Sequence, residues 1–204
     1  MDFKINLHAS ICLDGKIFFD PFGIGKELPR KAEIVFITHP HYDHLSLEDI
    51  AKVADENTVF VCTADAAEIL RGAGRENIRI VRAGEKFEVG GVKAEAFPAY
   101  NEGKPFHPKA NGWVGYLAEY GGERVAVTGD CDATDDLAAI KCDVLFLPVG
   151  GKYTMNAEEA AAAALKIAPK LAVPMHYGSV AGTKEDGKRF MKALNGGVPC
   201  RLPY

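Results

Sequence analysis

The chain has 204 residues, enough for one large domain or two similar halves around a full core. It is 48% hydrophobic and 25% charged, and its net charge of −4 with a pI near 5.9 leaves no overall basic surface for a nucleic-acid backbone. No segment approaches the ~20 apolar residues of a membrane span, and the opening MDFKINLHAS lacks the apolar core of a signal peptide. The expectation is a cytoplasmic protein with neither a nucleic-acid nor a membrane partner.

The first part of the chain reads as β-rich. Short strands are predicted at 4–7, 11–13 and 16–20, with Asp14-Gly15 a favoured hairpin turn. A buried strand, β-branched and aromatic, follows at 34–38, then a helix over 47–54 whose start is marked by Ser46 and Asp49. Next come a strand at 58–62, a helix at 65–71, and strands at 79–81, 86–89 and 92–97, the last pair turned by Gly90-Gly91. A polar loop, PAYNEGKPFHPKANG, spans 98–112.

Beyond the loop the pattern partly repeats. Strands at 114–120 and 124–127 are joined by Gly121-Gly122, and a short helix from Asp135 precedes a buried strand at 144–147. An Ala-rich helix at 157–168, with Asn156 and Glu159 at capping-box spacing, leads to a strand at 171–173, a helix at 184–194 and a last strand near 200–202. Strands open each half and helices close it. That order predicts an α/β (α+β) fold of two packed sheets with helices outside. Five widely spaced cysteines without a CxxC pair read as mostly buried thiols of a reducing compartment.

The chemistry is concentrated in IVFITHPHYDHLS, residues 34–46, where His39, His41, Asp43 and His44 crowd the end of a buried strand. Imidazole nitrogen and carboxylate oxygen are natural ligands of Zn²⁺, Mn²⁺ and Fe²⁺. His39 and His41, two apart in extended chain, present their rings on one side, while Asp43 and His44 in the following turn can face a second metal. RVAVTGDCDAT delivers Asp130 at another strand end, and LAVPMHYGS delivers His176. Alone, Asp130 could cap a helix and His176 could be a satisfied loop histidine. Ligands of a shared site gather where strand ends meet, and beside the first motif both become ligand candidates.

HPHYDH, TGD and PMHYG, in this order and spacing, resemble the metallo-β-lactamase fold superfamily. Asp20-Pro21, LPVGGKYTM and PMHYGS are similar to its branch of small metal-dependent hydrolases related to ascorbate-6-phosphate lactonase. The likeness covers about residues 3–202. It implies a four-layer αββα sandwich of metallo-β-lactamase type, a single domain over 1–204, with two divalent metals at one edge of the sheets. Zinc is the first expectation, with manganese, iron or nickel as alternatives. By the same resemblance His39 and His41 bind the first metal, Asp43, His44 and His176 bind the second, and Asp130 bridges them.

One position departs from that pattern. Where related chains often carry a third nitrogen ligand for the first metal, shortly after the strand ending at Phe97, this chain has Asn101. His107, in the same loop and stiffened by Pro108, is the expected substitute.

His8 is either a group near the site or a satisfied core histidine. Cys131 reads as a buried thiol, and Tyr42, Trp113 and Tyr177 as packing residues. Gly150-Gly151 before Lys152-Tyr153 forms either a pocket-lining loop that meets an anionic substrate or an ordinary turn.

Two metals can lower the pKa of a shared water toward neutrality and supply hydroxide, while stabilising a developing oxyanion. The expected function is a metal-dependent hydrolase acting through that hydroxide on a small ester, lactone or phosphoester, an anionic one included, with Asp43 and Asp130 as catalytic residues. A nuclease is disfavoured by the acidic charge. An oxygen-reducing di-iron role is disfavoured because such relatives usually carry Glu at the place of His41. The alternative is a metal-binding or regulatory protein that lost turnover through Asn101.

Overall fold

Two six-stranded sheets stack face to face in a computed structural model that describes residues 1–26 and 31–203. The first sheet runs in chain order: β1 (Phe3–Ile5), β2 (Ile11–Leu13), β3 (Ile17–Phe19), β4 (Ile34–Phe36), β5 (Val59–Cys62) and β6 (Ile78–Ile80). The second contains β7 (Lys86–Val89), β8 (Val92–Pro98), β9 (Val114–Tyr120), β10 (Glu123–Val127), β11 (Val144–Pro148) and β12 (Leu171–Met175), also neighbours in sequence. Each sheet opens as an antiparallel meander and ends as a parallel run: β3 to β6 in the first, β10 to β12 in the second. Parallel strands deliver their C-terminal ends to one edge, and that edge carries the candidate residues.

The first meander turns from β2 into β3 at Asp14-Gly15, where φ of +47° and +69° gives the left-handed pair that a tight hairpin needs. Inward-facing residues of both sheets share one core: Phe19, Phe36 and Val61 meet Tyr116, Val127, Phe146 and Val173. Phe19 and Phe36 stack at 4.8 Å, and the Tyr116 hydroxyl on β9 donates across the sandwich to the Ile37 carbonyl at 2.9 Å.

The outer faces are covered by helices. α1 (Leu47–Val53) and α2 (Ala64–Gly72) bury Ile50, Val53, Ala66 and Leu70 against Phe18, Val35 and Phe60 of the first sheet. α3 (Asp135–Ala138), α4 (Ala157–Ile167) and α5 (Lys184–Leu194) bury Leu137, Ala160, Ala164 and Phe190 against Leu117, Ala126 and Leu145 of the second. This is the expected αββα order. The capping signals form as read: Ser46 accepts from the Asp49 amide, and Asn156 and Glu159 make a reciprocal capping box.

Some boundaries move. The strand expected at 34–38 ends at Phe36, because the Thr38 amide donates to the Asp20 carboxylate instead of a neighbouring strand. β12 runs past Pro174 to Met175, which its place at the end of the sheet permits, since an edge strand can dispense with one donor. The strand expected at 200–202 is reduced to a single bridge between Cys200 and Ala172. Among the described residues no helix is long and apolar enough to cross a membrane.

Candidate metal centre

Four chain segments bring the candidate residues together. The end of β4 leads into Thr38 and His39, and a turn closed by the His44 and Leu45 amides on the His41 carbonyl presents His41, Asp43 and His44. The end of β10 delivers Asp130 through Gly129, at φ +62°, where an added Cβ would lie 2.9 Å from that of Thr38. Glycine there lets the two sheets' strand ends approach. β12 delivers His176 at φ +58°, and the loop between β8 and β9 folds back to bring in His107.

Two sets of donor atoms result. In the first, His39 Nε2 and His41 Nδ1 are 3.1 Å apart, and the His107 ring lies 5.2 and 5.1 Å from theirs. In the second, Asp43 Oδ2 has His8 Nε2 at 3.1 Å, His176 Nε2 at 3.7 Å and His44 Nε2 at 3.9 Å. Asp130 stands between the sets: Oδ1 is 3.3 Å from His44 Nε2, while Oδ2 is 2.9 Å from His176 Nε2 and 3.2 Å from His107 Nε2.

The donor atoms fit a bound cation. His44 Nε2, His107 Nε2, His176 Nε2 and Asp130 Oδ1 are buried without an aligned hydrogen-bond partner, a condition folded proteins rarely leave uncompensated. Each set keeps its ligand atoms within 4.8 Å of one another. Imidazoles and carboxylates that converge, as these do without a lysine or arginine among the described residues, are a donor set for a first-row divalent metal.

The rings are held from behind. His44 Nδ1 donates to Asp20 Oδ2 at 2.7 Å, which turns its Nε2 inward. Thr38 Oγ1 donates to the same Asp20 oxygen at 2.7 Å and takes the Nδ1–H of His39 at 2.9 Å. Asn101 Oδ1 accepts from both the His107 amide (3.0 Å) and its Nδ1–H (2.9 Å). Trp113 packs 4.9 and 4.8 Å from the His39 and His41 rings and donates to Asp65 at 2.7 Å. His8, at φ +60°, lies 3.7 Å from the His176 ring and contacts Ser179 through Nδ1.

Burial and charge divide the histidines. Burial, helped by the neighbouring His44, pushes His39 well below the usual imidazole range, and burial lowers His41 too. Burial lowers His8 to about 4 against the pull of Asp43. Burial acts in the same direction on His44 and His176, but the carboxylates together outweigh it and raise both: Asp130 with Asp20 for His44, Asp130 with Asp43 for His176. Asp130 resists its own burial through His176 and His44 and is held well below the carboxylate range. Asp43 is lowered as well, by His176 and His8.

All seven residues singled out as ligands, His39, His41, Asp43, His44, His107, Asp130 and His176, lie in this one cluster. Asn101 stands behind His107 rather than beside His39. His8 joins the second set. Asp20 and Thr38 were missed as supports; Asp20-Pro21 marked the place, but nothing in the spacing showed its carboxylate reaching Thr38 and His44. Tyr42, read as packing, is 66% exposed, because its turn projects it to solvent beside the site. Cys131 is a buried thiol among the helices, pushed up to about 12 by burial.

The model of the beta-lactamase superfamily domain matches residues 15–177. The chain belongs to the beta-lactamase superfamily. Within that superfamily it is 33% identical over 183 residues to a UPF0173 protein of Pyrococcus furiosus, covering 88% of this chain and 82% of the relative. It is 32% identical over 204 residues to a UPF0173 metal-dependent hydrolase of Thermoplasma acidophilum, covering 94% and 89%. A crystal structure from Parabacteroides distasonis, described as a candidate metal-dependent hydrolase, superposes with a TM-score of 0.84 at 29% identity, covering 98% of this chain and 91% of the other.

Proposed function

We propose that this superfamily member is a hydrolase that holds two divalent metals, one on each side of Asp130. The convergence of imidazole and carboxylate donors on two adjoining spaces carries the reading, with atoms of His44, His107, His176 and Asp130 buried there without a hydrogen-bond partner. His39, His41 and His107 would hold the first metal, Asp43, His44 and His176 the second, and Asp130 both. Bound there, the metals would lower the pKa of a water and polarise an electrophilic carbonyl or phosphoryl centre.

The chain's own residues prepare for this. Asp20, Thr38 and Asn101 fix the ring orientations of His44, His39 and His107, so the donors are arranged before a cation arrives. Ionised Asp43 and Asp130 offset part of the cationic charge, and His8 Nε2 contacts Asp43 Oδ2. Lining the pocket over the cluster, Asp43 is also the carboxylate suited to orient water or take its proton. The relatives' description as metal-dependent hydrolases supports the same reading. Asn101, the reason to consider a metal-binding protein without turnover, sits behind a nitrogen donor rather than in its place, so no observation favours that alternative.

The test is metal analysis of chelator-free protein followed by a hydrolase screen of metal-reconstituted protein. Bound metal with turnover of an ester, lactone or phosphoester is the expected result. Absence of metal after reconstitution with Zn²⁺, Mn²⁺ or Fe²⁺ overturns the site, and metal without turnover of any of them overturns the hydrolase.

A further inference from the structure

The pocket over the donor cluster encloses about 250 Å³, and its wall differs in chemistry from its floor. His41, Asp43, His107, Asp130 and His176 form the floor. Tyr42, Phe106, Tyr153 and Val180 form the wall. Phe106 and Val180 are each 37% exposed, more than a packing role requires of large apolar side chains gathered at one opening.

The wall is built. Phe106 meets Tyr153 edge to face, centroids 4.8 Å apart at 82°, and Tyr42 meets Phe22 at 6.2 Å. Phe106 and Tyr153 come from separate loops tied together by Lys104, whose ammonium donates to Asp132 at 2.5 Å and to the Thr154 carbonyl at 2.9 Å.

No lysine or arginine lines the pocket among the described residues. Of the three lysines on the two wall loops, Lys104 and Lys109 are engaged elsewhere and Lys152 is not a lining residue. Lys104 is committed as above. Lys109 donates to Asp136 at 3.0 Å and to the Tyr100 hydroxyl at 3.2 Å, and Lys152 rests 4.8 Å from the centre of the Tyr153 ring. A substrate with a standing phosphate or carboxylate away from the reacting centre would find no charge-assisted partner among the lining residues. An alkyl or aryl group would find four apolar surfaces.

We propose, resting on the hydrolase reading above, that the substrate is a small uncharged carboxylic ester or lactone whose alkyl or aryl group lies among Tyr42, Phe106, Tyr153 and Val180. Water's oxygen forms the new bond to the carbonyl carbon and the acyl–oxygen bond breaks. One water proton ends on the leaving alcohol, and the other is released as the acid ionises. This places phosphorylated and otherwise anionic compounds outside the preferred class.

The experiment compares p-nitrophenyl butyrate with its anionic counterpart mono-p-nitrophenyl succinate, equal in leaving group, on metal-reconstituted full-length protein, with p-nitrophenyl phosphate alongside. The butyrate is expected to lead in kcat/KM by about tenfold or more, and Phe106→Ala to lower that value about tenfold, chiefly through KM, with metal content unchanged. Preference for the succinate ester or the phosphate, or an unaltered butyrate KM in Phe106→Ala, overturns the substrate class while leaving the hydrolase standing.

A second readout separates the two readings. Trp113 is the only tryptophan and lies 4.8 Å from His41, so its fluorescence reports binding of N-phenylbutanamide and N-phenylsuccinamate, inert amides of the two classes. If no ester turns over, Phe106-dependent binding of the neutral amide alone supports the pocket's class without the hydrolase. Equal binding of both amides, or of neither, overturns it.

Discussion

On one side of Asp130 stand three imidazoles and no carboxylate of their own; on the other, Asp43 shares the space with His44, His176 and His8. Their supports differ in the same way. His39 and His107 are oriented by a hydroxyl and an amide, whereas His44 is oriented by the Asp20 carboxylate. A dication among His39, His41 and His107 therefore depends on Asp130 for its only direct negative charge. The second set carries two carboxylates in contact range and a third behind. With two divalent metals bound as proposed, the first would be the more electron-poor and the more easily lost, and the pair would depend on Asp130.

The largest effect should come from removing that shared charge. Asp130→Ala leaves two cations facing each other with less to compensate them. Its activity should fall below about 1% of the parent, exceeding the ~10–100-fold typical of losing an outer support. Metal stoichiometry should fall too, the first site emptying before the second, while circular dichroism shows the fold retained. Full activity in folded Asp130→Ala protein contradicts the shared role.

The asymmetry is sharpened by a pair of variants. His107→Ala should empty the first site selectively. Asn101→Ala, which removes only the acceptor behind His107, should weaken that site by a smaller ~10–100-fold and leave the second unchanged. Competitive metal titrations followed site by site decide the order. Two metals at unchanged affinity in His107→Ala, with one lost in Asn101→Ala, would reverse the assignment.

Asp20→Asn probes the opposite case, a support that serves both sides: His44 directly and His39 through Thr38. It should lower affinity at both sites by about tenfold, more at the second, because an amide is a poorer acceptor than a carboxylate for an imidazole N–H. Loss confined to the first site would break the comparison.

Most of the scaffold was legible because its signals are local. The hairpin at Asp14-Gly15, the β-branched and aromatic run at 34–36 and the caps at Ser46 and Asn156 each fix their own segment. The ligand motif was legible because HPHYDH packs its donors into one turn. What could not be read is contact between distant segments. Asp20 and Thr38 lie eighteen residues apart and meet because β3 and β4 pair in parallel. Asn101 read as a lost ligand with His107 its expected substitute, but the spacing could not show Asn101 Oδ1 accepting from the His107 amide and ring. The last strand dwindled to a bridge because residues 200–202 add only a single pairing, at Ala172, beyond the end of the second sheet.

The smallest expected effect lies outside the site and checks that its scaffold is independent. Asp49 accepts from the Gly23 and Ile24 amides, each at 3.0 Å, and pairs with Lys52. Although burial opposes it, Lys52, Ser46 and the two amides hold its carboxyl below the ordinary value. Asp49→Ala should cost about 1–3 kcal/mol at neutral pH by leaving those amides unmatched. Because the folded pKa is depressed, the carboxylate's contribution is present above its unfolded value near ~3.9 and fades as pH falls through the folded one. Denaturation of the two proteins should therefore converge in acid, with metal stoichiometry equal at pH 7. A gap that widens in acid contradicts the assignment.

Two metals divided by one aspartate are the central proposal, and anomalous diffraction from crystals of the reconstituted protein, collected at the metal's absorption edge, tests it most directly. Two peaks flanking Asp130 are expected, one bound by His39, His41 and His107 and the other by Asp43, His44 and His176. A single peak, or a first-site metal with His107 turned away from it, would contradict the account.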